Sequence, residues 1–243
     1  MSSSPVIIPA STLRNMPQQA RNKYLSTLPG YRRKAVEEYF DRVIGKAAWL
    51  VLLEEGGYSP QRIEKEYLFE NFPQNGITYN REELEANDAF MLFIPETVDG
   101  EKITVKFFER LGFKFIFNNY KVYGYEHIPE QFSSIPAPKG IFAVRANTDP
   151  ASRNKCLQKQ RKMIPEGYSL SHPLVEVTKN VLLSVLGHEV NKNTLARCVC
   201  WDTNSVSIVG GVDSTEKKMR FYSDDSSLSG KLIGASCARN IIA

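Results

Sequence analysis

Cysteine is scarce in this sequence: four residues, Cys156, Cys198, Cys200 and Cys237, in a chain of 243. A scaffold stapled by disulfides needs more, so stability has to come from an apolar core, and a chain of this length can bury one. Cys198 and Cys200 stand two apart, which on a strand puts both thiols on one face; reduced thiols in an intracellular setting are the expectation. Long apolar runs are missing as well. No stretch approaches the roughly 18 residues of a membrane span. The opening MSSSPVIIPAS has neither a basic region nor an extended apolar stretch, so a cleaved Sec signal is not expected. The protein is expected in the cytoplasm, or exported by a route that reads other signals. No internal repeat is visible.

What is present is the composition of an ordinary globular chain, 42% hydrophobic and 24% charged, which argues against disorder. The net charge of +4 looks diffuse but is local. Residues 145–162, RANTDPASRNKCLQKQRK, carry Arg145, Arg153, Lys155, Lys159, Arg161 and Lys162 against Asp149, while the rest of the chain holds 25 basic and 26 acidic residues. A segment this basic attracts phosphate-rich partners, a nucleic acid or an anionic membrane face, by releasing their counterions. Tyr168 lies just beyond it and could stack on a base. The plain alternative is a solvated loop.

Along the chain, residues 1–16 read as a flexible arm. A helix over 31–54 would place Val36, Tyr39, Phe40, Val43, Ala47, Leu50 and Val51 on one face, with Gly56-Gly57 as its stop. Ser59-Pro60 reads as a further helix start, Asn80 as the cap of a short acidic helix, and AFMLFI as a buried strand. Asp99 is expected to begin an aromatic helix whose apolar face is Ile103, Phe107 and Leu111, with Thr104 and Phe108, ended by Gly112. KFIF, Asn118-Asn119 and YKVYGY read as a hairpin. The three prolines of HIPEQFSSIPAPKG suggest a boundary, with residues 128–140 as linker. Beyond it come a strand, GIFAVRA, then a helix capped by Ser171 with Pro173 in its first turn and Leu174, Val177, Val181, Leu182 and Val185 inward. The strands LARCVCWD, SVSIVG and KMRFYS should pair as a meander, and LSGKLIGASCARNII would close the chain as a helix.

Residues 107–113, FFERLGF, with the hairpin behind them, resemble the closing segment of the acetyl-CoA-dependent N-acetyltransferase (GNAT) family over about 20 residues. The resemblance implies an acyltransferase with a pyrophosphate loop upstream. The nearest candidate for that loop is LPGYRRKAVEEYF, residues 28–40, where Lys34, Ala35 and Val36 occupy the places of the family's glycines, and a backbone without those glycines cannot approach a diphosphate. The same stretch read as a winged helix would use Lys102, Lys106, Arg110 and Lys121, interrupted by Glu101 and Glu109.

Other chemistry is thinly marked. Cys156 lies among Arg153, Lys155 and Lys159, neighbours that lower a thiol pKa, so a thiol enzyme would use it. His172 and His188 flank the 173–186 helix at opposite ends and cannot share one site. Cys198, Cys200 and His188 offer too few ligands for a convincing zinc site, and two thiols on an inner strand face read as core. Gly230-Lys231 fails the phosphate-loop pattern, with Asp225 and Leu232 where glycine and a hydroxyl residue belong. Asp224 and Asp225 could help hold a metal, and a polar turn after a strand explains them equally well.

The sequence therefore points to an α+β protein: a flexible arm at 1–16, a helical region over 17–127 ending in a hairpin, a linker at 128–140, and a small antiparallel sheet with one long helix over 141–243. The functional expectation is a non-catalytic binding protein, without cofactor or metal. It would meet an anionic or protein partner through Arg145, Arg153, Lys155, Lys159, Arg161 and Lys162. Such a chain would also suit a bacterial or viral protein acting on a host.

Overall fold

The computed structural model describes residues 8–59, 69–70, 79–118, 132–191, 194–199, 206–213, 216–224 and 233–242. Its class is α+β. Three prolines among the described residues punctuate the start. Pro9, Pro17 and Pro29, with φ of −53°, −53° and −52° and extended ψ, sit at the N-caps of α1 (Ala10–Arg14), α2 (Gln18–Leu25) and α3 (Gly30–Phe40). A fixed φ in an extended residue ends whatever precedes it and lets a helix begin at the next position. The arm expected over 1–16 is, from Ile8 onward, incorporated into the packed molecule. Ala10 and Leu13 are fully buried, and Ala10 N–H donates to the Leu186 carbonyl at 2.9 Å.

The single helix expected over 31–54 is two. Arg42 takes a φ of +62°, Val43–Ile44 form β1, and α4 (Lys46–Glu55) follows Gly45. The break is tertiary in origin: Val43 and Ile44 pair in parallel with Met91 and Leu92, and that pairing outweighs the helical periodicity of the sequence. Trp49 of α4 is fully buried and its indole N–H reaches the Phe93 carbonyl at 2.9 Å.

Next come β2 (Phe69–Glu70), α5 (Arg81–Ala86), β3 (Ala89–Ile94), β4 (Thr97–Val98) and β5 (Glu101–Lys102). The Asn80 side chain caps α5 by accepting from Glu83 N–H at 3.2 Å, as read from the sequence. Asp99 does not begin a helix. With φ of +55° and +77°, Asp99-Gly100 form the tight connection between β4 and β5, an arrangement that Asp-Gly favours. The helix α6 (Val105–Arg110) starts after Thr104, whose hydroxyl accepts from Phe107 N–H at 3.1 Å. Its aromatic face, Phe107 and Phe108, packs on Trp49, and the chain leaves it through Gly112 at φ +88°. The strand β6 (Lys114–Asn118) pairs in parallel with a distant strand, residues 218–222; the segment expected to complete a local hairpin lies outside the described residues.

The remaining elements are β7 (Gly140–Arg145), a 3₁₀ turn (Pro150–Ser152), α7 (Leu157–Arg161), β8 (Ser169–Leu170), α8 (Pro173–Val185), β9 (Leu195–Arg197), β10 (Val206–Asp213), β11 (Lys218–Asp224), β12 (Ile233–Ala235) and β13 (Cys237–Ile242). The last segment, expected as a helix, is therefore two strands. They are fixed by partners far away in sequence: β12 pairs with β9, and β13 lies between β7 and β8. One five-stranded sheet runs β1-β3-β7-β13-β8, and another runs β12-β9-β10-β11-β6. Both are mixed rather than antiparallel. Both also draw strands from either side of residues 128–140, and one cluster of buried apolar residues extends from Ala10 to Ala238. The described residues of that linker therefore do not separate one core from another.

Helix α8 is buried from Pro173 through Leu183, packed on α4 and β10. Its cap is His172 rather than Ser171; the His172 Nδ1 accepts from Leu174 N–H at 3.2 Å. Among the described residues, no helix is long and apolar enough to cross a membrane.

Candidate functional site

The basic segment begins where β7 ends. After Arg145 the chain passes Thr148, whose N–H donates to Asn191 Oδ1 at 2.9 Å, and enters the 3₁₀ turn, where Asp149 Oδ1 accepts from Ala151 N–H at 2.9 Å. From here the inner side of the segment is tied to the sheet by polar contacts. Ser152 Oγ donates to the Asp149 carbonyl at 2.6 Å and accepts from Ala235 N–H at 2.8 Å. The fully buried Gln160 donates to the carbonyls of Ser152 and Ile233 at 2.9 and 3.1 Å, and its Oε1 accepts from Arg197 at 2.7 Å. Arg197 also reaches the Lys155 carbonyl at 3.2 Å. Leu157 packs with Leu170, Ala235 and Cys237. Gly234 permits this approach, because a Cβ there would stand 2.7 Å from Thr148 Cβ. The buried hydrogen bonds of Ser152 and Gln160 make residues 148–160 a shaped platform, not a loose excursion, although Thr148 Oγ1 and Arg153 Nε are buried without a partner among the described residues.

The outer side carries the charge. Lys155, Lys159, Arg161 and Lys162 are exposed and Arg153 is half-buried. Among the described residues, none of the five is in an ion pair. Arg145 stands apart from them: its Nε donates to the Asn87 carbonyl at 3.2 Å, and its Nη1 lies 3.5 Å from Asp149. The platform thus presents five of the six basic residues, with four of them in solvent.

Cys156 is the N-cap of α7 and only partly buried. The backbone N–H of Lys159 and the Lys159 ammonium hold its thiol below the ordinary range, in the direction its neighbours in sequence suggested. The two described histidines are occupied elsewhere, His172 at the cap of α8 and His188 through a 2.7 Å contact between its Nδ1 and the Tyr39 hydroxyl. Among the described residues, no group of three or more His, Cys, Asp or Glu is arranged to hold a metal. Burial pushes the Cys237 thiol up to about 11 and the Cys198 thiol well above its usual range, as expected of core residues; Cys200 lies outside the described residues.

Burial lowers both His172 and His188 below the ordinary 6.5. The unfolded chain therefore binds protons that the folded one refuses. The stability contribution is complete above about pH 6.5 and is lost as pH falls toward the folded values. Glu38, raised from 4.5 by burial, has the opposite sign: its contribution is complete below about pH 4.5 and is lost as pH rises. The urea midpoint is expected to drop from pH 7.5 to pH 5.5, and less so in a His172→Asn, His188→Asn variant, where Asn retains an acceptor in place of Nδ1. An equal drop in that variant would assign the dependence to other groups.

The segment nearest to an acyltransferase pyrophosphate loop, residues 28–40, is here mostly the helix α3, and the element before it is the helix α2, not a strand. FFERLGF is the core-packing end of α6 and the turn after it. Sequence reasoning missed Gln160 and Arg197, the residues that anchor the platform. Arg197, fully buried in the apolar run LARCVC, was the one available signal. In comparisons with protein-family models, curated proteins and solved structures, nothing matches.

Proposed function

We propose that this chain is a binding protein whose platform at residues 153–162 holds a phosphate-rich partner. The observation that carries the reading is the pairing of a rigid inner side with an uncompensated outer one. Gln160 and Ser152 are buried and fully engaged, while Lys155, Lys159, Arg161 and Lys162 face solvent, in no ion pair among the described residues. Because the backbone beneath them is already ordered, these cations meet phosphates at a cost in side-chain entropy but not in loop ordering, and they gain by releasing the polymer's counterions. A nucleic-acid backbone is favoured over a membrane. A membrane-surface helix spends its apolar face on lipid, whereas Leu157 of α7 is spent on the protein core.

The test is binding of a generic RNA and DNA duplex across a salt series, with wild type beside a Lys155→Ser, Lys159→Ser, Arg161→Ser, Lys162→Ser variant. Wild-type affinity should fall steeply with salt, and each lost phosphate contact on duplex DNA should flatten the log–log slope by roughly 0.9. All four positions are exposed, so the variant should fold. Absence of binding at low salt, or a slope unchanged in the variant, would end the proposal. Binding to vesicles containing anionic lipid, without binding to either duplex, would move the partner to a membrane.

A further inference from the structure

A cleft of about 290 Å³ opens between α5 and the end of β13. Leu84, Met91 and Ile241 line it with apolar surface, and Tyr79, Glu83, Arg239 and Asn240 supply its polar groups. Three consecutive residues of one strand, 239–241, do not line one side of a regular sheet, because alternate side chains point to opposite faces. A bulge makes it possible here. Asn240 stands opposite Phe142, but it is Ile242 that stands opposite Ile141, so β13 advances two residues while β7 advances one. Bulges of this kind re-aim side chains beside binding sites.

The charge arrangement narrows the ligand. Arg239 and Glu83 pair at 2.9 Å and both remain partly exposed, at 33% and 39%. An anion entering would meet Glu83, and a cation would meet Arg239. A neutral ligand with acceptors and donors along its edge satisfies both, with the Asn240 amide able to serve either role. It also needs apolar faces for Met91, Ile241 and the Tyr79 ring. An unpaired nucleobase has these properties. The Arg239 guanidinium further lies 5.1 Å from the centre of the Tyr168 ring, and the Tyr168 hydroxyl is buried without a hydrogen-bond partner among the described residues. Tyr168 joins the apolar cluster under the platform to the one under the cleft. It follows Lys162 by six residues, so the Cα atoms of Lys162 and Tyr168 are at most about 20 Å apart, a span of about six nucleotides of a strand.

We infer that the cleft takes an unpaired base of a strand whose phosphates lie on the platform, which makes single-stranded nucleic acid the ligand. This rests on the reading of residues 153–162 as a phosphate-holding surface. The experiment uses the full chain, labelled 12-nucleotide single strands of RNA and DNA, the matching duplexes, and free nucleosides at millimolar concentration in a thermal-shift assay. Wild type should bind a single strand about tenfold more tightly than a duplex. Arg239→Met and Asn240→Ala should each remove most of that preference while leaving duplex affinity and its salt slope unchanged. Asn240 is exposed, so its variant separates ligand loss from misfolding. Equal affinity for single strand and duplex, unaltered in both variants, would overturn the cleft assignment and leave the platform standing. Were wild type to bind no polymer, the platform reading would fail, and the nucleosides would decide the cleft alone. A thermal shift lost in Asn240→Ala would retain the cleft as a base site, and no shift would end it.

Discussion

Lys179→Met is expected to destabilise the protein by about 3–5 kcal/mol, the range for removing one partner of a buried ion pair. Lys179 and Glu176 are one turn apart on α8, both 1% exposed, with Nζ and Oε1 at 2.7 Å. The lysine also donates to the carbonyls of Arg145 and Ala146 at 3.0 and 3.1 Å, and so holds the end of β7, where the basic platform begins. Glu176 in turn accepts from Asn191 Nδ2 at 2.9 Å and from Ser236 Oγ at 2.5 Å. Methionine fills the space but leaves the carboxylate without its cation and two carbonyls without a donor. Adding Glu176→Gln should recover some of the loss, because the amide still accepts from Asn191 and carries no charge, so the two substitutions should be strongly non-additive in urea unfolding. A Lys179→Met protein within about 1 kcal/mol of wild type would show that the pair is not a major support of the fold.

That pair also shows where the sequence stops being readable. In PLVEVTKNVLLSV the inward apolar face is plain, and Leu174, Val177, Val181 and Leu182 are indeed buried. Glu176 and Lys179 at i and i+3 look like an ordinary solvated pair. They are buried because the end of β7, Asn191 and Ser236 close over that side of α8, and periodicity within one helix carries no information about those distant segments. The strand AFMLFI was legible for the opposite reason: a short apolar run bounded by polar residues needs no distant partner to be recognised. Pairings such as β6 with β11 and β9 with β12 join residues far apart in sequence. The helix expected over 31–54 and the one expected at the C-terminal end both gave way to such pairing. The site divides in the same way. The basic residues were visible as a composition shift, whereas Gln160, Ser152 and Arg197 became meaningful only when folding brought residues 152, 160, 197 and 235 together. The cleft was invisible, since it is built by a bulge in a segment read as helix.

Gly211→Ala is expected to cost about 3 kcal/mol or more, at or above the upper end for overpacking a core. A Cβ at this position would stand 2.2 Å from the Val190 carbonyl oxygen and 3.0 Å from that of Asn191. Both atoms are backbone, so no rotamer change relieves the contact. Gly210 and Gly211 lie where β10 slips register against β11, between Val209 and Val212, and this irregularity lets the 190–191 segment come close. Asn191 cannot retreat without cost. Its N–H donates to Asn147 Oδ1 at 2.8 Å, its Oδ1 accepts from Thr148 N–H, and its Nδ2 reaches Glu176. Displacing it would loosen both the Glu176–Lys179 pair and the start of the basic platform, so lower stability and weaker salt-dependent binding should appear together. Gly30→Ala is the control. Nothing lies within 4 Å of the added methyl, and Gly30 is the first residue of α3, so alanine there should be neutral or stabilising by up to about 1 kcal/mol. If the two alanine variants unfold at the same denaturant concentration, the 190–191 segment does not press on β10, and Asn191 is not the hub that joins α8 to the platform.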